Sequence, residues 1–154
     1  MSILKLVTNP YECEEAAANL VDYIKNKAVY FGGGAVDPNH AAEQMAMVRR
    51  VFDQQNGSLM YHFILAFSEA ESKHISNAAE LLYDAYTICD YFSSAYQIIF
   101  GIHRNDDRWH IHFAMNRVSF IDGRKYRSDK RADSELYYTV RAACFVDNLQ
   151  LYYE

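Results

Sequence analysis

The 154-residue sequence predicts an α+β domain, with a central antiparallel sheet and helices packed against it. Hydrophobic residues make up 51% of the chain, which is enough for a substantial core. Strand-like and helix-like segments follow one another without an internal repeat or a linker. Two strand-like segments, 96–103 and 109–121, are separated by a connection short enough to favour an antiparallel pair. We therefore expect residues 1–154 to form one domain in which helices cover one face of the sheet.

Hydrophobic periodicity and turn residues give the order of the elements. The first strand alternates between apolar and polar positions, whereas the first helix shows apolar residues three to four positions apart. A run of three glycines at 32–34 is expected to break the chain, and Asp37-Pro38 has the form of a helix N-cap followed by proline. The expected strands are 2–8, 59–67, 96–103 and 109–121, and the expected helices are 12–27, 38–52, 75–92 and 133–147.

Several classes of protein can be set aside on composition. No run of about 18 or more apolar residues occurs, so a membrane-spanning helix is not expected. The segment Met1–Lys5 lacks the basic start and apolar stretch of a signal peptide. The three cysteines are odd in number and widely spaced, which is typical of reduced, structural thiols. We therefore expect a cytoplasmic protein that does not insert into a membrane.

The charge of the chain is distributed unevenly. The formal net charge of −5 argues against a nucleic-acid partner. However, residues 1–100 carry six Lys or Arg and twelve Asp or Glu, whereas residues 101–131 carry eight Lys or Arg and four Asp. A local basic region suits a phosphate substrate. Within it, Arg124, Lys125 and Arg127 are predicted to position phosphates, with Tyr126 as a stacking platform, and a solvated Arg-rich loop is the alternative.

Three histidines lie in the same basic stretch. Side chains alternate along a strand, so His110 and His112 share one face at a separation of about 7 Å. The short connection brings His103 back beside this pair. Three neutral imidazoles form a divalent-metal site with open positions for substrate oxygens. The alternative is a set of exposed or hydrogen-bonded histidines that bind no metal.

Longer segments around these residues resemble a known family. The segment from His103 to Tyr126, HRNDDRWHIHFAMNRVSFIDGRKY, resembles the third motif of relaxases, which belong to the His-hydrophobe-His (HUH) endonucleases. The segment YHFILAFS at 61–68 resembles their second motif, and LVDYI at 20–24 resembles the helix that bears their nucleophilic tyrosine. The link GGGAVDP at 32–38 is also similar. The resemblance covers nearly the whole chain in the right order.

The resemblance implies chemistry in which a tyrosine attacks a DNA phosphate and stays covalently attached. Tyr23 is the expected nucleophile, with Tyr30 and Tyr11 as alternatives. From the residues alone, a core position at helical spacing from Leu20 is the competing interpretation of Tyr23. The resemblance also implies that the three histidines bind Mg²⁺ or Mn²⁺, which would withdraw charge from the phosphate. From the alternation along the strand, Asn116 faces the same side as His110 and His112 and is expected to hydrogen-bond a DNA phosphate or a metal ligand, with a polar strand residue near an edge as the alternative.

A relaxase catalytic domain is thus the expected function. It would nick single-stranded DNA at an origin of transfer in a bacterial plasmid or conjugative element, with accessory mobilisation proteins and a coupling protein as further partners. Full relaxases usually extend beyond such a domain, so these residues are compatible with the N-terminal part of a longer protein. The alternatives are a rolling-circle replication initiator, a DNA-binding relative that has lost nicking, and an unrelated three-histidine metallohydrolase.

Three further residues matter for this interpretation. Asn105 stands where the family commonly has Asp, and Ala66 stands where it commonly has Ser. Neither position is an expected metal ligand, but Asn105 and the acidic net charge favour the non-nicking alternative. His62 lies on an apolar strand and is interpreted as a core histidine, or else as a partner of a metal ligand.

Overall fold

The computed structural model describes residues 1–144 and 148–154. Short 3-10 turns at Pro38–His40 and Ala78–Leu81 lead into the second and fourth helices. None of the described helices is long and apolar enough to cross a membrane. The described helices are α1 (Glu14–Asn26), α2 (Ala41–Val51), α3 (Glu69–Ser72), α4 (Leu82–Phe92) and α5 (Lys130–Cys144). The described strands are β1 (Ser2–Val7), β2 (Tyr30–Gly34), β3 (Met60–Ala66), β4 (Ile98–Asn105), β5 (Arg108–Asn116) and β6 (Leu149–Tyr153).

These six strands form one sheet in the order β2-β4-β5-β3-β1-β6. Neighbouring strands are antiparallel except for β1 and β6, which are parallel. The β4–β5 hairpin has the expected pairing, with Ile98 opposite Met115 at one end and Asn105 opposite Arg108 at the other. The prediction of an α+β fold around a mainly antiparallel sheet is confirmed.

Helices cover both faces of the sheet, not the single face that the sequence indicated. On one face, Leu20 and Ile24 of α1 and Met45 of α2 pack against Ile99 and Ala114. We call this the α1 face, and the opposite one the α4 face. Strand side chains alternate, so β4 and β5 contribute to the cores of both faces. The core of the α4 face is larger and includes Phe63, Phe92, Phe100, Phe113 and Leu136.

The glycine run belongs to the edge strand β2, so the prediction of a chain break at 32–34 was wrong. Gly33 pairs with Ile99 on β4. A Cβ atom on Gly33 would lie only 2.4 Å from the carbonyl oxygen of Ile98. The absence of side chains therefore allows close approach of the two strands, a role of glycine that resembles a loop signal in the sequence.

Several other boundaries differ from the prediction, and the largest differences are at three elements. β5 ends at Asn116 instead of Ile121, because the chain turns there. The predicted helix 75–92 is α4 with a 3-10 turn before it. The last predicted helix begins earlier, at Lys130, and its predicted residues 145–147 lie outside the described part of the chain.

Strands β2 and β6 and the short helix α3 were not predicted. β6 pairs with β1 along its whole length, from Leu149 beside Ser2 to Tyr153 beside Leu6. A strand that depends on a partner at the far end of the sequence leaves little local signal, because its pattern alone does not reveal that partner.

Candidate metal centre and active site

Three histidine side chains converge on the α1 face of the β4–β5 hairpin. His103 is directly opposite His110 in the strand register, and His112 follows on the same side of β5. One ligand nitrogen from each histidine lies within 4.8 Å of the other two. The ring centroids of His103 and His112 are 4.6 Å apart. The predicted convergence is therefore confirmed, and small side-chain rotations would bring all three nitrogens to the metal–nitrogen distance of about 2.1 Å.

A backbone carbonyl orients His103. Its Nε2 donates a hydrogen bond to the carbonyl oxygen of Ile24, near the end of α1, at 2.6 Å. This contact requires the glycine at residue 101, since a Cβ there would lie 2.4 Å from the same oxygen. With Nε2 protonated, Nδ1 of His103 keeps its lone pair and is the nitrogen available to a metal.

A second histidine orients His112. Nδ1 of His112 and Nε2 of His62 are 3.2 Å apart, and Nδ1 of His62 is 2.9 Å from the hydroxyl of Tyr11. The engaged Nδ1 leaves Nε2 of His112 for a metal. His62 is therefore a buried histidine with a hydrogen-bond partner at each ring nitrogen, an arrangement that both interpretations allow.

Burial keeps two of the ligands neutral. Desolvation, followed by the nearby charges of His103 and Lys5, lowers the pKa of His110 to about 4. Desolvation, followed by the neighbouring histidines, lowers the pKa of His112 to about 2. An unperturbed imidazole titrates near a pKa of about 6.5. Since the neutral imidazole is the form that binds a metal, both side chains are competent ligands at neutral pH.

These residues fit a divalent transition-metal ion. The cluster supplies three nitrogen donors, and within the described residues no carboxylate joins it. Nitrogen donors suit transition-metal ions better than Mg²⁺, which prefers oxygen. His110 is only half-buried, so one side of the cluster stays open for substrate oxygens.

Tyr23 of α1 packs against two of the three histidines and lines the same cleft as half-buried His110. Its ring centroid is 5.5 Å from that of His112, edge-on at 84°, and 6.3 Å from that of His103. Its neighbours Leu20 and Ile24 point into the core and hold the helix against the sheet. Tyr23 itself is 56% exposed, which excludes the core position that its spacing also allowed.

The two alternative tyrosines occupy different positions. Tyr30 is opposite Ile102 on β4, and Ile102 belongs to the core of the α4 face, so Tyr30 is on the other side of the sheet from the histidines. Tyr11 lines a cavity together with Tyr23, His62 and His112, and its hydroxyl is directed at His62. Of the three, Tyr23 is the tyrosine whose ring packs against those of His103 and His112.

The sequence matches a known protein family over most of its length. The family is the relaxases, described as MobA/VirD2-like, nuclease domain, and the match covers residues 17–146. The chain belongs to the relaxase family. It is therefore a DNA nuclease domain, and the matched segment contains Tyr23 and all three converging histidines. No curated protein and no solved structure matches the chain closely enough to add to this assignment.

The relaxase site includes a lysine that sequence analysis did not single out. Lys5 of β1 lines a cleft of about 320 Å³ together with Tyr23, His110 and His112. Its Nζ lies 3.6 Å from a carboxylate oxygen of Glu154. In the sequence, Lys5 is recognisable only as a charged residue within an otherwise apolar strand. That pattern does not reveal which strand pairs with β1, and so it does not place Lys5 beside the histidines.

The two departures from the family pattern border the same cleft of the relaxase. Asn105 is exposed at the end of β4, and Ala66 lies opposite His110 on β3. The departures therefore alter the wall of the cleft and leave the three nitrogen ligands in place.

The predicted phosphate-positioning residues lie away from the histidines. Arg124, Lys125 and Arg127 follow the opposite end of β5, and His110 to Asn116 spans about 20 Å at the usual rise of a strand. Arg124 and Arg127 are exposed, whereas Lys125 is half-buried and donates to a backbone carbonyl. The basic group therefore lies away from the candidate metal centre of the relaxase. The sequence had indicated that the two lie side by side.

Tyr126 packs within the protein. Its ring lies on the α4 face, opposite the histidines, and its centroid is 5.2 to 5.8 Å from those of three other aromatic rings, Tyr61, Phe92 and Tyr96. Its ring therefore packs against its own neighbours in tilted and edge-on contacts, where the sequence suggested a stacking platform for DNA bases.

Asn116 is fully buried, which corrects its expected contact with DNA. Its side chain accepts a hydrogen bond from Arg49 and donates to Gln97 and to the carbonyl of Met45. Arg49, only 2% exposed, also donates to both carboxylate oxygens of Glu14. Asn116 thus belongs to a polar network that joins the start of α1, α2 and the end of β5.

Proposed function

We propose that this relaxase domain is a site- and strand-specific single-stranded DNA endonuclease that nicks at an origin of transfer through a 5′-phosphotyrosyl intermediate. The observation that supports this most directly is the position of Tyr23 against the three-histidine cluster. In this proposal Tyr23 is the nucleophile, and His103, His110 and His112 bind the divalent cation.

The reaction is a transfer of the phosphate from one oxygen to another. The hydroxyl oxygen of Tyr23 attacks the phosphorus, and the bond from the phosphorus to the 3′ oxygen of the preceding nucleotide breaks. The leaving 3′ oxygen takes a proton and becomes a hydroxyl, while the hydroxyl proton of Tyr23 is released to solvent. One phosphodiester replaces another, so the reverse reaction can rejoin the strand.

The three histidines would hold Mn²⁺ in preference to Mg²⁺, because all their donors are nitrogens. The bound ion would withdraw charge from the non-bridging phosphate oxygens and orient the phosphorus. Lys5 borders the same cleft and would offer its positive charge to the phosphate in exchange for its ion pair with Glu154, which also lines the cleft.

The remaining basic residues would hold the strand at a distance. Arg124 and Arg127 are exposed about 20 Å from His110 and could contact phosphates of a strand that extends beyond the cleft. The biological setting proposed for the domain is plasmid or conjugative-element mobilisation in the bacterial cytoplasm. Accessory mobilisation proteins and a coupling protein would be its partners.

The test is incubation of the protein and Mn²⁺ with single-stranded oligonucleotides that tile the DNA around its own gene. Each oligonucleotide is labelled at either the 5′ or the 3′ end and resolved on a denaturing gel. We expect the 3′-labelled fragment to migrate with the protein, and the 5′-labelled fragment to be free and extendable by a polymerase. Tyr23→Phe should abolish the adduct and retain strand binding, with Tyr83→Phe, an exposed tyrosine on α4, as the control.

Each other outcome identifies a rival. Two free ends would indicate hydrolysis by a metal-bound water. Binding without cleavage of any oligonucleotide would indicate a relative that has lost nicking. An adduct mapped by mass spectrometry to Tyr11 or Tyr30 would preserve the reaction and refute the assignment of Tyr23.

A further inference from the structure

A chain of hydrogen-bonded side chains leads from His112 through His62 to Tyr11. Nε2 of His62 is 3.2 Å from Nδ1 of His112, and Nδ1 of His62 is 2.9 Å from the hydroxyl of Tyr11. His62 is 5% and His112 is 4% exposed. Water therefore has little access to these nitrogens, and each group depends on its neighbour for a hydrogen-bond partner.

The backbone holds Tyr11 in an uncommon conformation. Its φ is 51°, in the left-handed region that bulky residues rarely adopt. Its backbone N–H donates to the side-chain oxygen of Asn9 at 3.0 Å. A strained backbone persists where the surrounding structure imposes it, and here it directs the phenol at His62.

The positions of the protons follow from which nitrogen binds the metal. His112 would bind through Nε2, because its Nδ1 faces His62. A metal-bound nitrogen carries no proton, so neutral His112 is protonated on Nδ1 and donates to Nε2 of His62. His62 then carries its proton on Nδ1 and donates it to the oxygen of Tyr11. The opposite set of hydrogen bonds has the same number of protons but puts one on Nε2 of His112, where it blocks the metal.

We propose that His62 and Tyr11 are positioning residues that hold His112 in the tautomer that binds the metal. The proposal rests on the metal site of the proposed function. A metal-bound histidine commonly donates its second N–H to a carboxylate or a backbone carbonyl, as His103 does to Ile24. For His112, the acceptor of the second N–H is the imidazole of His62. An imidazole that accepts at one nitrogen must donate at the other, so the arrangement is complete only with an acceptor such as Tyr11.

The first test measures Mn²⁺ affinity by isothermal titration calorimetry, on the full chain without DNA. His62→Leu removes the acceptor and should weaken Mn²⁺ binding by about 10- to 100-fold, the usual effect of losing such a partner. His62→Gln keeps an acceptor oxygen near the Nε2 position and should restore most of the affinity. Tyr11→Phe should weaken binding less than His62→Leu does. His74→Leu and Tyr83→Phe, at exposed positions, are the matched controls and should leave the affinity unchanged.

The second test needs no variant. In ¹⁵N-labelled protein loaded with diamagnetic Zn²⁺, long-range ¹H–¹⁵N spectra should show His112 protonated on Nδ1 and bound through Nε2, and His62 protonated on Nδ1. Zn²⁺ on Nδ1 of His112, or a proton on Nε2 of His62, overturns the proposal even if the variants do not fold. Unchanged Mn²⁺ affinity in folded His62→Leu also overturns it while leaving the metal site intact. A parent protein that binds neither Mn²⁺ nor Zn²⁺ refutes the metal site and the positioning role together.

Discussion

Replacing Gly101 with alanine tests whether the contact between β4 and α1 sets the position of the nucleophile. The new Cβ would lie 2.4 Å from the carbonyl oxygen of Ile24 and 3.1 Å from Nε2 of His103. Ordinary contacts begin near 3.4 Å, so the end of α1 must move by about 1 Å to relieve the overlap. Tyr23 directly precedes Ile24 and must move with it.

The expected effects of Gly101→Ala follow from that displacement. Overpacking a tight contact costs about 1–3 kcal/mol, and a weakened hydrogen bond to Ile24 adds about 1 kcal/mol. For a domain of this size the melting temperature should fall by on the order of 10 °C. A misplacement of about 1 Å at the nucleophile should lower the nicking rate by about 100-fold.

A second glycine supplies a matched control. A Cβ on Gly33 would also lie 2.4 Å from a backbone oxygen, that of Ile98, but at the edge strand β2 and without contact to α1. Gly33→Ala should lose similar stability, measured by urea unfolding, and still nick within a few-fold of the parent rate well below its melting temperature. If Gly101→Ala and Gly33→Ala nick equally well, the contact between β4 and α1 does not position Tyr23.

Other perturbations probe the ligands, the buried histidine and the cleft lysine. His110→Ala and His112→Ala each remove a ligand from a partly open site and should abolish the covalent adduct, with circular dichroism unchanged; a double variant that nicks at the parent rate in Mn²⁺ would rule out the site. Burial lowers the pKa of His62 to about 4, so below a pH of about 6.5 the unfolded chain binds a proton that the folded protein does not. The free energy of unfolding of the metal-free protein should therefore fall between about pH 6.5 and pH 4, and a constant value in urea titrations would contradict the burial of neutral His62. Lys5→Met should weaken single-strand binding and reduce the slope of log Kd against log salt by about 0.7; an effect no larger than that of Lys73→Met, at an exposed position, would remove Lys5 from the DNA contacts.

The convergence of the three histidines could be predicted from the sequence because their arrangement is local. The alternation of side chains along β5 places His110 and His112 on one face. The short connection to β4 then fixes His103 opposite His110. Both relations hold within a single hairpin, so they do not depend on how the rest of the chain folds.

The surroundings of the ligands depend on contacts between distant segments and could not be predicted in the same way. Lys5 reaches the cleft because β1 pairs with β3, which pairs with β5. Asn116 is at a strand position compatible with exposure, but Arg49 and Gln97 enclose it. The basic group at Arg124 is near His110 in sequence and remote in space, because the extended strand between them carries the chain to the other end of the sheet.

The helix that bears Tyr23 is fastened at both of its ends. At its start Glu14 accepts hydrogen bonds from buried Arg49, and near its end the carbonyl of Ile24 accepts one from His103. These two contacts restrict the movement of the helix, so the reach of the phenol depends mainly on the two torsions of its own side chain. A DNA end attached to that phenol would stay within one side-chain length of the place where it was cut. The attached 5′ end would then stay available for rejoining without any further element to hold it. Rejoining would require only that the free 3′ end remain bound nearby.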